Sequence, residues 1–101
     1  MIRSAAIAAL AAAALFTAAP AAADDQTFLE VLDVMGIAVD DPAAAVSTGR
    51  AACTGLDEGQ PLSTVTDGVA AASGLTDEQS GLFVGASVAA FCDQHRALVG
   101  H

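Results

Sequence analysis

The sequence predicts an all-α fold: a small bundle of about four short helices stapled by one disulfide, formed after an N-terminal export segment is removed. Three observations predict it. Apolar residues recur at spacings of three and four between residues 26 and 98. Helix start and stop residues bracket those runs, and no strand-like alternation competes with them. Two cysteines, Cys53 and Cys92, fall on the inward faces of two different predicted helices.

The N-terminus reads as a signal peptide spanning residues 1–23. Arg3 gives a short positive start, and Ala5 to Ala19 is an apolar run interrupted only by Thr17. Pro20 then ends any helix, and Ala21-Ala22-Ala23 offers small residues to signal peptidase, placing the cut before Asp24. An anchoring transmembrane helix is the alternative. The run is shorter than the roughly 20 residues that a span requires. The expected mature chain, residues 24–101, is one small helical domain in the secreted or cell-envelope compartment.

That chain carries all twelve carboxylates against Arg50 and Arg96, for a formal charge of −10. Such a surface repels phosphate backbones, so nucleic acid is not an expected partner, and it suits anionic lipid equally poorly. Lysine, tyrosine and tryptophan are absent, leaving phenylalanine as the only aromatic anchor for a binding surface. Leu, Ile, Val and Phe make up 20 of the 78 residues, too many for a chain that cannot form a core. A domain this small is nevertheless marginal without a staple.

The cysteines supply one. If they pair within the chain their connectivity is fixed, and export favours pairing. Closing a loop of about 40 residues is worth roughly 4 kcal/mol on the entropic estimate. A free thiol pair, an intermolecular bridge and metal ligation are the alternatives. A redox site would want closely spaced cysteines at a helix start. Cys92-x-x-His95 is only half of a haem attachment or zinc pair, so neither metal nor cofactor is expected.

The first helix is expected over about 26–35, capped by Asp24 or Asp25, with Phe28, Val31, Leu32 and Met35 on one face. Gly36 stops it and Ile37 folds back onto its last turn. The second, about 42–55, has Asp41 as N-cap and Pro42 at its first position. Val46, Gly49, Cys53 and Leu56 form its face, and Gly55 or Gly59 ends it. Gly49 costs helix propensity there; close approach of another helix and simple local weakness are both open as reasons.

The third helix, about 62–73, has Leu62, Val65 and Val69 on one side and Gly74 as its stop. Its Thr64, Val65, Thr66 and Gly68 disfavour helix, so a frayed or 3₁₀ segment is an alternative. The fourth, about 77–98, opens on a Thr76–Gln79 capping box with Asp77 and Glu78 favourably placed at its start. Val84, Val88, Phe91, Cys92, His95, Leu98 and Val99 fall within about 120° of one another at helical spacing.

With these residues in hand, the chain resembles a family of small secreted proteins of mycobacteria and related actinobacteria, known as domain of unknown function number 732. The resemblance rests on Asp25-x-x-Phe28-Leu29-x-x-Leu32-x-x-x-Gly36-Ile37, then Gly49-Arg50-x-x-Cys53 with Gly59, and finally Phe91-Cys92. The family usually follows that last cysteine with proline. Asp93 stands here instead, which suggests a last helix that continues through Arg96 to about Leu98. The resemblance implies a compact helical domain with its cysteines bridged, exported by an actinobacterium. It brings no activity, ligand or catalytic residue.

No enzyme is expected. The only histidines of the expected mature chain are His95, on an apolar helix face, and His101, at the chain end, and neither suggests a base oriented for nucleophilic chemistry. Asp40-Asp41, Asp57-Glu58 and Asp77-Glu78 read as caps and turn residues, and EF-hand spacing is absent. Two functional readings stand. One is a binding or interaction module, monomeric, taking a small apolar ligand or a protein in a groove lined by Phe28, Phe83 and Phe91. The other is a structural or host-contact secreted protein with no small ligand. A lined pocket above roughly 300 Å³ favours the first. Arg50, at the edge of an apolar stripe, is expected either to pair with a carboxylate of another helix or to stand in solvent.

Overall fold

The computed structural model describes residues 23–99. Apart from Ala23, the expected signal peptide lies outside the described residues, as does His101. Five α-helical segments follow one another: α1 over residues 23–34, α2 Pro42–Asp57, α3 Leu62–Ser73, α4 Asp77–Phe91 and α5 Arg96–Val99. A 3₁₀ turn, Asp93–His95, joins the last two, and no strand occurs among the described residues.

Helix α1 is already formed at residue 23, earlier than its sequence suggests, so Asp24 and Asp25 lie within it instead of capping it. The amphipathic pattern survives in Phe28 and Leu32, both fully buried. Its end is a Schellman motif: Ile37 N–H donates to Leu32 C=O and Gly36 N–H to Asp33 C=O, each at 3.0 Å, with Gly36 at φ +77°. This fold-back buries Ile37. Met35 leaves the core face and stays partly exposed.

Helix α2 starts as expected, with the Asp41 carboxylate accepting from Ala44 N–H. It runs through Gly55 and closes at Gly59, again with paired bonds, from Gln60 N–H to Gly55 C=O and Gly59 N–H to Leu56 C=O. Gly49 has its reason in close approach. A Cβ there would stand 2.9 Å from Phe28 Cζ and 3.1 Å from both Phe91 Cε2 and Ser87 Oγ. The glycine lets α1 and α4 press their aromatic rings onto the α2 backbone.

Helix α3 is regular across all twelve residues despite its poor propensities, because Val65 and Val69 are buried in the shared core. Tertiary packing outweighs the few tenths of a kcal/mol that each residue disfavours. Helix α4 is the central element. Thr76 and Gln79 form both halves of the capping box, and the helix packs against α2 and α3. Its buried set, Ser80, Phe83, Val84, Ala86, Ser87 and Val88, covers most of its circumference. The Ser87 hydroxyl donates to Phe83 C=O at 2.8 Å, whereas Ser80 Oγ, equally buried, has no hydrogen-bond partner among the described residues.

The expected continuous last helix is corrected by the structure. The helix stops at Phe91, and Cys92 takes a non-helical conformation, φ −148° and ψ 60°. Cys92 is bonded to Cys53, with 5.8 Å between Cα atoms, so the backbone at this point is tied to the middle of α2. Leaving the helix there turns residues 93–95 toward the C-terminal end of α2. Asp57 Oδ1 receives Gln94 Nε2 at 3.3 Å and lies 2.7 Å from His95 Nε2. Lacking proline at 93, the chain still breaks, because two contacts with α2 replace the local signal.

Candidate functional site

The aromatic residues expected to line a groove come together, but as core. Phe28 meets Phe83 edge-on at 5.3 Å between ring centres and Phe91 at 5.0 Å. Phe28 and Phe83 are buried, Phe91 half-buried, and no described opening is lined by all three. Edge-to-face and tilted pairs at these distances are favourable aromatic geometries. The space that could have been a groove is filled by the rings themselves.

Arg50 closes the outer side of this cluster. Its guanidinium lies over the Phe91 ring, 4.3 Å from the centre, and forms an ion pair with Asp25 of α1. Both partners are substantially exposed, so the Coulomb part of the latch is modest. Stacking on the ring adds a cation–π contribution of about 0.5–1 kcal/mol. Thus Asp25, Phe28, Gly49, Arg50, Cys53, Phe91 and Cys92, seven of the twelve residues that carry the family resemblance, form one seam between α1, α2 and α4. They hold the fold together; none of them is presented as a reactive group.

His95 is not on a continuous helix face. It sits in the 3₁₀ turn against Asp57, its side chain 20% exposed. No hydroxyl or thiol hydrogen-bonds its ring among the described residues. No group of three or more His, Cys, Asp or Glu is placed to hold a metal ion among the described residues.

Two of the half-open grooves on the stapled core exceed 300 Å³. One, of about 310 Å³, lies between α2 and α3; Ser47, Thr48, Gln60 and Thr64 make its lining partly polar, with Gly68 on its α3 side. The other, about 330 Å³, runs along the solvent side of α4. Gly81, Gly85 and Ala89 line it at helical spacing. Met35, Leu82, Val88 and Val99 of α5 complete its apolar lining, and Arg96 is the only charged side chain among its described lining residues. Cβ atoms added at Gly81 or Gly85 would meet nothing within 4 Å. Sequence reasoning missed this groove. Its legible signal was a Gly-x-x-x-Gly-x-x-x-Ala stripe in the best-capped helix, followed by Arg96.

Fold and seam together define a small all-helical domain whose α2–α4 contact is pinned by a disulfide. The family model described as "Protein of unknown function (DUF732)" matches residues 24–94, and the chain belongs to that family. No curated protein and no solved structure matches the chain.

Proposed function

We propose that this protein is a small, exported, non-catalytic binding module that takes its ligand in a surface groove between helices. In this reading the leader is cut before Asp24, leaving that residue in the first turn of α1, and the domain acts in the secreted or envelope compartment. The observation that carries the reading is the combination of a closed, disulfide-tied core with interhelical grooves of about 310 and 330 Å³. These volumes lie at the lower end of the range for small-molecule sites, roughly 300–1,000 Å³. Among the described residues, no helix is long and apolar enough to cross a membrane.

The test is a ligand screen read by thermal unfolding. Oxidised protein is heated with representative amphiphiles, peptides and oligosaccharides, each in excess. A ligand at 100 times its dissociation constant stabilises by about 2.7 kcal/mol. In a domain of this size that raises the midpoint by roughly 10 °C or more. A screen in which no class moves the midpoint contradicts the binding reading and favours a structural or host-contact role.

A further inference from the structure

We propose that the groove along α4 binds a free straight-chain fatty acid, its carboxylate on Arg96 and its alkyl chain along Gly81, Gly85 and Ala89. This assignment rests on the binding-module reading above and names the ligand for one of its two grooves.

Charge singles out the ligand's head. Beyond residue 23 the protein has two cations and twelve carboxylates. Arg50 is committed to Asp25 and Phe91. Arg96 is 74% exposed, and its nearest carboxylate, Asp93, stands 3.7 Å from Nε, beyond hydrogen-bonding distance. Such an exposed pair is weak. The fork of guanidinium donors that matches a carboxylate is therefore open at the rim of the most apolar groove. Repulsion from the remaining carboxylates is screened beyond about 8 Å at physiological ionic strength, while a bound head group would be at contact.

The groove's walls select the tail. From Gly81 to Ala89 the slot is about 12 Å long, lined by glycine, alanine, leucine, methionine and valine. Gly81 and Gly85 lower the helix propensity of α4 relative to alanine, and a Cβ at either would meet nothing within 4 Å among the described residues. What they provide is depth. A protein partner fits less well, because docking surfaces rely on aromatic anchors. Here Phe28 and Phe83 are buried and Phe91 lies under Arg50. A second copy would bring another chain of formal charge −10 against the first.

The experiment titrates the oxidised protein, as its host exports it, with dodecanoate below its micelle-forming concentration, by calorimetry. Dodecylammonium and anionic phospholipid vesicles are run in parallel. Saturable one-to-one binding of dodecanoate is expected, with weaker binding of dodecylammonium and none to vesicles. Gly85→Leu fills the slot and should abolish binding while circular dichroism shows the fold intact, since the added side chain meets no neighbour at its Cβ. Ala71→Leu, on the exposed side of α3 and outside both grooves, should leave binding unchanged. Arg96→Gln should weaken dodecanoate by roughly three- to ten-fold and remove its advantage over dodecylammonium. Equal or tighter binding of dodecylammonium to the unsubstituted protein, binding that survives Gly85→Leu, or binding to vesicles alone would overturn the assignment. If dodecanoate fails while another ligand class raises the unfolding midpoint, this inference falls and the binding-module reading stands.

Discussion

Replacing Gly49 by alanine sets two opposed effects of known size against each other. Alanine in mid-helix gains about 1 kcal/mol over glycine. At Gly49 the new methyl would lie 2.9 Å from Phe28 Cζ and 3.1 Å from Phe91 Cε2 and Ser87 Oγ. None of these can yield cheaply. Phe28 is fully buried and held by Phe83 and Phe91, and Ser87 is fixed to Phe83 C=O. Overpacking of this kind costs about 1–3 kcal/mol, so the net change is a loss of about 0–2 kcal/mol. Gly85→Ala in α4 has the same propensity gain and no clash, so it should stabilise by about 1 kcal/mol. Thermal unfolding by circular dichroism reads both. With about 4–8 °C per kcal/mol for a domain of this size, Gly85→Ala should raise the midpoint by several degrees and Gly49→Ala should lower it or leave it flat. A Gly49→Ala midpoint equal to or above that of Gly85→Ala would refute the close-approach argument.

Further substitutions probe the rest of the frame. Arg50→Met keeps most of the packing on Phe91 but loses the Asp25 pair and the cation–π contact; a cost of about 1 kcal/mol, shrinking in high salt, is expected from denaturant unfolding. Asp57→Asn weakens the contacts to Gln94 and His95, so hydrogen exchange should quicken across residues 93–99 while the α2–α4 core stays protected. Ser80→Ala removes a buried hydroxyl without a described partner and should raise stability by about 1 kcal/mol in the same unfolding assay; a loss of that size would show that the hydroxyl is satisfied.

What the sequence made legible was local. The Gly36 stop with Ile37 folded behind it, the Asp41-Pro42 start and the Thr76–Gln79 box each depend on residues a few positions apart, and each stands in the structure. Contacts between distant residues were harder to read. The break at Cys92 depends on Cys53 and Asp57, 39 and 35 positions away, and helical periodicity carries no information about either. Periodicity placed Phe28 and Phe91 on inward faces, and Phe83 was expected beside them, yet whether such rings line an opening or fill it depends on how close the helices come. Gly49 decides that, and from sequence its two explanations were indistinguishable. The α4 groove escaped notice because inward-facing residues draw attention, whereas Gly81, Gly85 and Ala89 matter by lying on the outward side.

The central claim is that the Cys53–Cys92 bond is a requirement of the fold, since it pins the α2–α4 seam on which the aromatic cluster and both grooves depend. The two sulfurs lie in the buried core, and the bond spans 39 residues. Chain entropy values that closure at about 4 kcal/mol, against a total stability of about 4–12 kcal/mol for a chain of this length. Thermal unfolding by circular dichroism, with and without reductant, measures it directly. A fall in midpoint of more than about 10 °C on reduction, or loss of the cooperative transition, is the predicted result. A shift of only a few degrees would contradict the claim and show that helix packing alone holds the domain.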